Sequence, residues 1–507
     1  MKNSKIVISL LLCLAVFTGC GPKGSGGSTG NEPVQKDKIV IAFNYPITDG
    51  SPQMGSSAHH YMLYLLSHNR LVSYNAETQQ FSPEIATEWK WVSDKEIEFK
   101  IRPGVTFHNG DTMTIADVLY TFESAKTSKS ATAQMAALDK VEAVGDDTVR
   151  MTLKAPNVDW LFTLSLPMCS IVSGAAIGKD PAEGGFIGTG AFKITKFSPS
   201  DFVDLTRNDQ YWGELPKTKD MTIRYVPEDS ARLIALQNGE IDICLNPANT
   251  ELHFIEDDPK LSLVQYNSTA TTYIAFNSAK APTDNADLRL ALAYCLNFDD
   301  IVTVATNGLA AKAVTNWGPV TYGYYDGFGP YGQDLGKARE HLAKAFPQGN
   351  PKLELAVAGS SDRMAAAQVI QEQARAIGLE ITINEMEGAA FNELTAFRNP
   401  KHQAIVYGLQ WNNHGDDARR PYYPGNNVNR AAITDNRITA LLNDAIKESD
   451  DTSRKAMYQE LQQINHDKAY YINLYYTIQS HGVNKNLSGV VWAANGYHNF
   501  TYASVTK

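Results

Sequence analysis

The chain has 507 residues, with 45 Lys and Arg against 55 Asp and Glu and a formal net charge of −10. No block of clustered Lys and Arg is present, which excludes nucleic acid as a partner, because phosphate binding relies on concentrated positive charge. A single core stops growing beyond about 250 to 300 residues, so this length predicts two or more lobes. Aromatic residues make up 10% of the chain, 24 of them tyrosines, a supply that suits either ordinary packing or a cleft lined with rings. Beyond Cys13 and Cys20, only Cys169, Cys244 and Cys295 remain, and their odd number and wide spacing match neither a disulfide framework nor a zinc site. These three are expected to be buried thiols.

At the start of the chain, Lys2 and Lys5 precede the uncharged run Ile6 to Phe17. That run is far shorter than the roughly 20 apolar residues a membrane-spanning helix needs, and reads as a secretory signal. It ends in "FTGC", which resembles the lipobox of bacterial lipoproteins, with Phe17 where that family usually has Leu. The resemblance implies a signal over 1–19 and lipid attachment at Cys20. Residues 20–36, rich in Gly, Ser and Pro and poor in apolar side chains, then read as a flexible tether. One acyl chain holds a protein only marginally, so a stable anchor requires the several chains that such lipidation adds.

Further along, His59 and His60 are adjacent and diverge on any regular element, so with His68 they are expected to be surface or packing residues rather than metal ligands. From Phe81 the chain predicts a strand "EWKWVS", a strand "EIEFKIR", turns at Pro103-Gly104 and Asn109-Gly110, and a helix capped near Thr114. "VTFHNGDTMT" brings His108 and Asp111 close together, inviting an active-site reading, but its neighbours make it a turn between strand and helix. Ser230 is expected to cap the helix "ARLIALQN", Gly239 to end it, and "EIDICL" to follow as a strand. An apolar stripe predicts a helix over Ala286 to Ala305, and further helices are expected near Met364 to Ile377 and Ser453 to Asp467, with "LEITINEM" as a strand. The class is α/β. No HExxH, phosphate loop or nucleophile elbow occurs outside the tether. The one GxGxxG, "GFGPYG" from Gly327, lacks the strand and helix that a dinucleotide site needs.

The run from Phe81 to Ser124 closely resembles the signature of the family 5 extracellular solute-binding proteins, the oligopeptide and dipeptide receptors of ABC importers. Pro83, Ile85, Ala86, Trp89, Arg102, Gly104, Val105, Phe107, His108, Asn109, Gly110, Thr114, Asp117 and Val118 match it, and Ile115 replaces the usual alanine. "FIGTGAFKI", "LTRNDQYWGE" and "LIALQNGEIDI" extend the likeness, which covers about 450 residues in order. It implies a periplasmic-binding-protein fold of type II with three lobes, two crossover strands as a hinge, and a ligand cleft between the lobes. The lobes are expected at 37–57 with 178–275 and 481–507, at 58–177 as an insertion, and at 276–480. The implied mechanism is hinge closure around a solute that a monomeric receptor delivers to a membrane permease, without catalysis and without a cofactor.

Peptide receptors of the family carry a W-x-x-D element whose carboxylate grips the peptide ammonium. Here "GLQWNNHGDD" has Trp411, with Asn413 read in the aspartate's place, so either Asp416 or Asp417 takes over or the ligand lacks a free amine. Arg419 and Arg420 are candidates for an anionic ligand group, or form an exposed loop pair. Trp317, Tyr322, Tyr324 and Tyr325 are candidates to stack on the ligand. His414 has no second metal ligand at a recognisable spacing. The leading expectation is a peptide or peptide-like solute. The alternatives are a non-peptide solute such as a sugar or a nickel complex, and, more remotely, a hydrolase.

Overall fold

The computed structural model describes residues 35–506 apart from 56, 76–77, 182, 350, 359, 397–399 and 413. The expected signal over 1–19, the lipid attachment at Cys20 and most of the tether lie outside the described residues. Lys36, expected at the tether's end, sits against the body, its Nζ 2.8 and 2.9 Å from the two carboxylate oxygens of buried Asp242. No helix among the described residues is long and apolar enough to cross a membrane.

One sheet of eleven strands organises the chain. On one side lie Lys38–Phe43, Asp220–Tyr225, Phe202–Arg207, Phe192–Ser198 and Ile243–Leu245; on the other lie Ala404–Gln410, Lys352–Ala358 and Glu380–Met386. "KIVIAF" pairs in parallel with both Asp220–Tyr225 and Ile243–Leu245. Its nearly continuous apolar run is what a strand covered on both faces requires. Lys352–Ala358 and Glu380–Met386 are also parallel, joined through the helix Ser361–Arg375. A crossover of that length is the usual solution for a parallel pair.

Two long strands, Leu261–Phe276 and Tyr471–Asn484, run antiparallel through the middle of this sheet and carry the chain from one side to the other. Their register breaks between Asn267 and Thr271. The half before the break pairs only with Tyr471–Asn484, whereas the half after it also pairs with Ala404–Gln410. A second sheet of four strands holds Ala86–Trp91, Glu96–Ile101, Thr148–Leu153 and Leu138–Val144.

Alternation divides the core. On the Ala404–Gln410 side, Ile274, Val406 and Leu474 face one cluster, while Tyr273, Ile405, Leu409 and Tyr471 face another across the sheet. A strand's period of two does this without further instruction. A third cluster joins Ile39, Ile41 and Phe43 to Trp160, Phe162 and the four-stranded sheet. Cys169, Cys244 and Cys295 are buried free thiols, and burial pushes Cys169 and Cys295 up to about 12.

The turn at Asn109-Gly110 is as expected: Gly110 has φ of +90°, which L side chains rarely adopt. Past it, Asp117 accepts from the Thr114 N–H at 2.9 Å and fixes the start of the helix Ile115–Ala125. Two expectations need correction. The stripe over Ala286 to Ala305 is two helices, Ala286–Cys295 and Phe298–Thr306, because Asn297 turns its carboxamide onto the Asp299 and Asp300 N–H groups and starts the second. Ser230 is not the cap of its helix, which spans Asp229–Gln237 after Glu228; its hydroxyl instead bonds Glu251 at 2.9 Å.

Candidate functional site

The strand Ala404–Gln410 delivers Trp411 to the seam between the crossing strands and the surrounding helices, where the Thr269 hydroxyl donates to the Trp411 carbonyl at 2.6 Å. The Trp411 ring is fully buried and stacks on Trp317 with centroids 4.4 Å apart. Tyr422 stacks on Trp317 at 5.5 Å, and Tyr458 tilts against it at 6.4 Å. The indole N–H groups of Trp317 and Trp411 are buried without a hydrogen-bond partner among the described residues. Asn413 lies outside the described residues. Counted from Trp411, the third residue of the W-x-x-D spacing is His414, not Asn413, and the register of that reading is corrected accordingly.

The charged residues after Trp411 are engaged with one another. Arg419 donates to Asp416 at 2.6 Å and to the Leu442 carbonyl at 2.8 Å, with its guanidinium 4.5 Å above the Tyr423 ring. Asp417 accepts from the backbone and side-chain nitrogens of Asn412, both at 3.0 Å, and from Arg420 at 3.1 Å. Asn412 in turn accepts from the Tyr497 hydroxyl at 2.8 Å, and the Tyr497 ring meets Tyr61 edge-on. Tyr322 donates to Asp451 at 2.8 Å and lies under the Arg454 guanidinium. Tyr324 sits beside Asp326 and Tyr476, and Tyr325 beside Phe328. Thus Trp317, Trp411 and Asp417 are brought into one buried block, Asp416 and Arg419 pair at its edge, and Tyr322 stands over the helix Asp451–Lys468.

One residue that sequence reasoning passed over sits at the centre of this network. Asp159 accepts from the Asp416 N–H at 2.7 Å, from His414 Nδ1 at 3.4 Å and from Arg454. Burial alone would raise its carboxyl, but the His414 hydrogen bond and the Arg454 charge outweigh that and hold it well below the usual carboxylate range. For His414 burial works toward the neutral ring, yet Asp159, Asp417 and Asp416 together raise its pKa above the ordinary histidine value. Its ring stacks on Phe162 at 4.2 Å. No spacing rule connects positions 159, 414 and 454, so only the folded chain reveals the cluster.

Two more arginines were missed. Arg363, in the first turn of the helix Ser361–Arg375, and Arg430 place their guanidinium carbons 4.9 and 4.2 Å from the Tyr407 ring centre, one strand position before Gly408. Among the described residues neither has a carboxylate at ion-pair distance, and the Nε of each is buried without a partner, although the terminal nitrogens of Arg430 donate to the Thr395 hydroxyl and, at 3.2 Å, to the Asn392 carboxamide. Thr271 and Tyr273, on the neighbouring strand opposite Leu409 and Tyr407, also carry unpartnered buried hydroxyls, as does the Gln410 amide its nitrogen. Unpaired donors are costly to bury and are uncommon in folded proteins. This group, like the indole N–H groups of Trp317 and Trp411, has hydrogen-bonding capacity to spare, whereas the charged side chains of the Trp411 loop do not.

His108, by contrast, is scaffold: it donates to the Gly190 carbonyl at 3.0 Å, its own N–H bonds Gly188, and burial lowers it to about 4. Asp111 bonds its neighbour Asn109 through its carboxylate and its N–H, and its carbonyl accepts from the Phe107 N–H at 2.8 Å. His60 and His68 are buried packing residues, and no cluster of three or more His, Cys, Asp or Glu among the described residues is arranged to hold a metal ion.

Comparison with known proteins agrees with this architecture. The heme-binding protein A of Haemophilus influenzae is 26% identical over 480 residues, 86% of each chain. The glutathione-binding protein GsiB of Pectobacterium atrosepticum is 28% identical over 381 residues, 72% of this chain and 74% of that one. The periplasmic binding protein DppA of Helicobacter pylori, solved with the peptide STSA, superposes with a TM-score of 0.79 at 24% identity, over 93% of this chain and 98% of that one. Residues 80–431 match the family described as bacterial extracellular solute-binding proteins, family 5. The chain belongs to that family: it is a solute-binding receptor with the periplasmic-binding-protein fold.

Proposed function

We propose that this receptor captures a peptide or peptide-like solute and hands it to the permease of an ABC importer. Residues 37–57, 178–275 and 481–507 act as one lobe, 58–177 as an inserted lobe and 276–480 as the third, with the two crossing strands as the hinge. The observation that carries the ligand assignment is Arg363, which lies over Tyr407 with no ion-pair or hydrogen-bond partner among the described residues, beside Arg430, whose terminal nitrogens are held by Thr395 and Asn392. A guanidinium fork matches a planar carboxylate, and a peptide ends in one. Arg419, first considered for this task, is occupied by Asp416.

Trp411 and Trp317 then form the rigid wall behind the ligand, and Tyr322 borders it. Asp416 and Asp417 keep Arg419 and Arg420 neutralised, which leaves no carboxylate on this loop unpaired for a ligand ammonium. The receptor works as a monomer and is held at the membrane through lipid on Cys20, facing the periplasm or the cell exterior.

Two measurements test this reading: mass spectrometry of what co-purifies with the chain, and calorimetry of tri-alanine against its C-terminal amide. Tri-alanine is expected to bind, and the amide and the Arg363→Met variant to bind about ten- to a hundredfold more weakly, the range that loss of a charge-assisted bond worth roughly 1.5 to 3 kcal/mol produces. If a heme, a sugar or a metal complex co-purifies and binds while peptides do neither, the receptor serves a non-peptide solute.

A further inference from the structure

Among the described residues, every hydrogen bond that joins 58–177 to 276–480 has Val158 or Asp159 at one end. Val158 N–H donates to the Ile446 carbonyl at 3.0 Å. Asp159 takes the Asp416 N–H at 2.7 Å, His414 Nδ1 at 3.4 Å and Arg454. Arg454 is itself aimed from behind, its Nε donating to the Ala445 carbonyl at 3.0 Å. Phe162, one turn on from Asp159, covers the assembly by stacking on His414. Both members of the ion pair are nearly excluded from solvent, each side chain 9% exposed.

Local structure makes this arrangement unexpected. Asp159 occupies the N-cap position of the short helix Trp160–Leu164, where an aspartate ordinarily accepts from its own helix's N–H groups, yet it makes no such side-chain bond. Its contacts with His414, Asp416 and Arg454 all fall on one carboxylate oxygen, Oδ2, which is turned toward segments more than 250 positions away in sequence. That orientation has no local benefit.

We propose that Asp159, clamped by Arg454, His414 and the Asp416 amide, is the latch that holds the inserted lobe against the third lobe in the closed receptor. The inference rests on the hinged reading given above. A buried ion pair suits a reversible latch: separating the lobes returns both charges to water, and this hydration offsets much of the attraction lost. Closure is therefore favoured without being locked. An apolar seam in the same place would expose its surface to water on every opening.

The test uses the ligand-free full chain. Hydrogen exchange is followed in segments 156–166 and 412–422, with the radius of gyration from X-ray scattering as the measure of closure, in wild type, Asp159→Asn, Arg454→Met and Arg454→Lys. The expected result is at least tenfold faster exchange confined to those two segments, with a larger radius of gyration, in Asp159→Asn and Arg454→Met. Arg454→Lys, which keeps the charge, should stay near wild type. Unchanged exchange and radius in both disruptive variants would overturn the latch. Should Asp159→Asn exchange fast throughout the chain because it fails to fold, the contrast between Arg454→Met and Arg454→Lys decides alone, and equal behaviour of those two overturns the proposal. Because these readouts need no ligand, they are separable from the peptide assignment. An Arg454→Met chain with an enlarged radius that does not shrink with tri-alanine that calorimetry shows to bind would instead overturn the hinged reading.

Discussion

Asp417 shows how the meaning of a residue depends on its partners. As a sequence letter near Trp411 it is a candidate ammonium clamp; in the fold its oxygens are used by Arg420 and by both nitrogens of Asn412, and its side chain is 2% exposed. Replacing it with alanine leaves Arg420 without its counter-charge and the Asn412 N–H without an acceptor. Asp417→Ala is therefore expected to lower stability by about 2 kcal/mol, the scale of a lost hydrogen bond to a charged group, measured from the urea unfolding midpoint at unchanged slope. A variant of wild-type stability would mean that the carboxylate is not structural.

The elements take their limits from single polar side chains that compete with the apolar pattern. Leu288, Leu292, Cys295, Ile301 and Val302 keep a helical stripe across Asn297, so periodicity alone runs the two helices together. Asn297 ends that continuity because its carboxamide satisfies two N–H groups that a new helix start leaves open. Asn297→Ala should cost about 1 kcal/mol, typical of a lost cap, as a lowered midpoint in thermal unfolding. An increase in stability would indicate that the two helices prefer to merge. At Ser230 the same reasoning failed in the other direction: a good capping residue was present, but its hydroxyl is drawn to Glu251.

For the whole molecule, the Asp159 cluster makes closure depend on pH through His414. The groups facing this imidazole are Asp159 and Asp416, with Asp417 at 3.9 Å, Arg454 beyond Asp159, Arg419 and Arg420 beyond the two loop aspartates, and Tyr458 packed under Gly415. Its pKa is raised in the closed form, so its contribution is full below the ordinary histidine value of about 6.5 and fades as pH climbs past the raised value. The Asp159 carboxyl is depressed, so its own contribution is lost only in strong acid, well below the ordinary aspartate value of about 3.9. Hence the radius of gyration of the ligand-free chain should be larger at pH 9 than at pH 6, and His414→Gln should abolish the difference. An equal radius at both values in wild type would show that His414 does not contribute to closure.

Much was legible in the letters because it depends on neighbours in sequence. Charge balance, the GxGxxG without its flanking elements, the turn at Asn109-Gly110, the cap at Thr114 and the signature from Pro83 to Val118 all act over a few residues, and together they fixed the fold class and the family. The site was legible only in outline. Trp411 could be placed, but which charges near it are available is settled by pairing across long separations: Arg419 and Arg420 are spent locally, Arg363 and Arg430 converge on Tyr407 from two other elements, and Asp159 meets His414 and Arg454 from the far side of the sheet's crossing strands. Electrostatic partners are set by distance in space, and a chain that crosses between its two halves twice brings together residues that no local pattern can join.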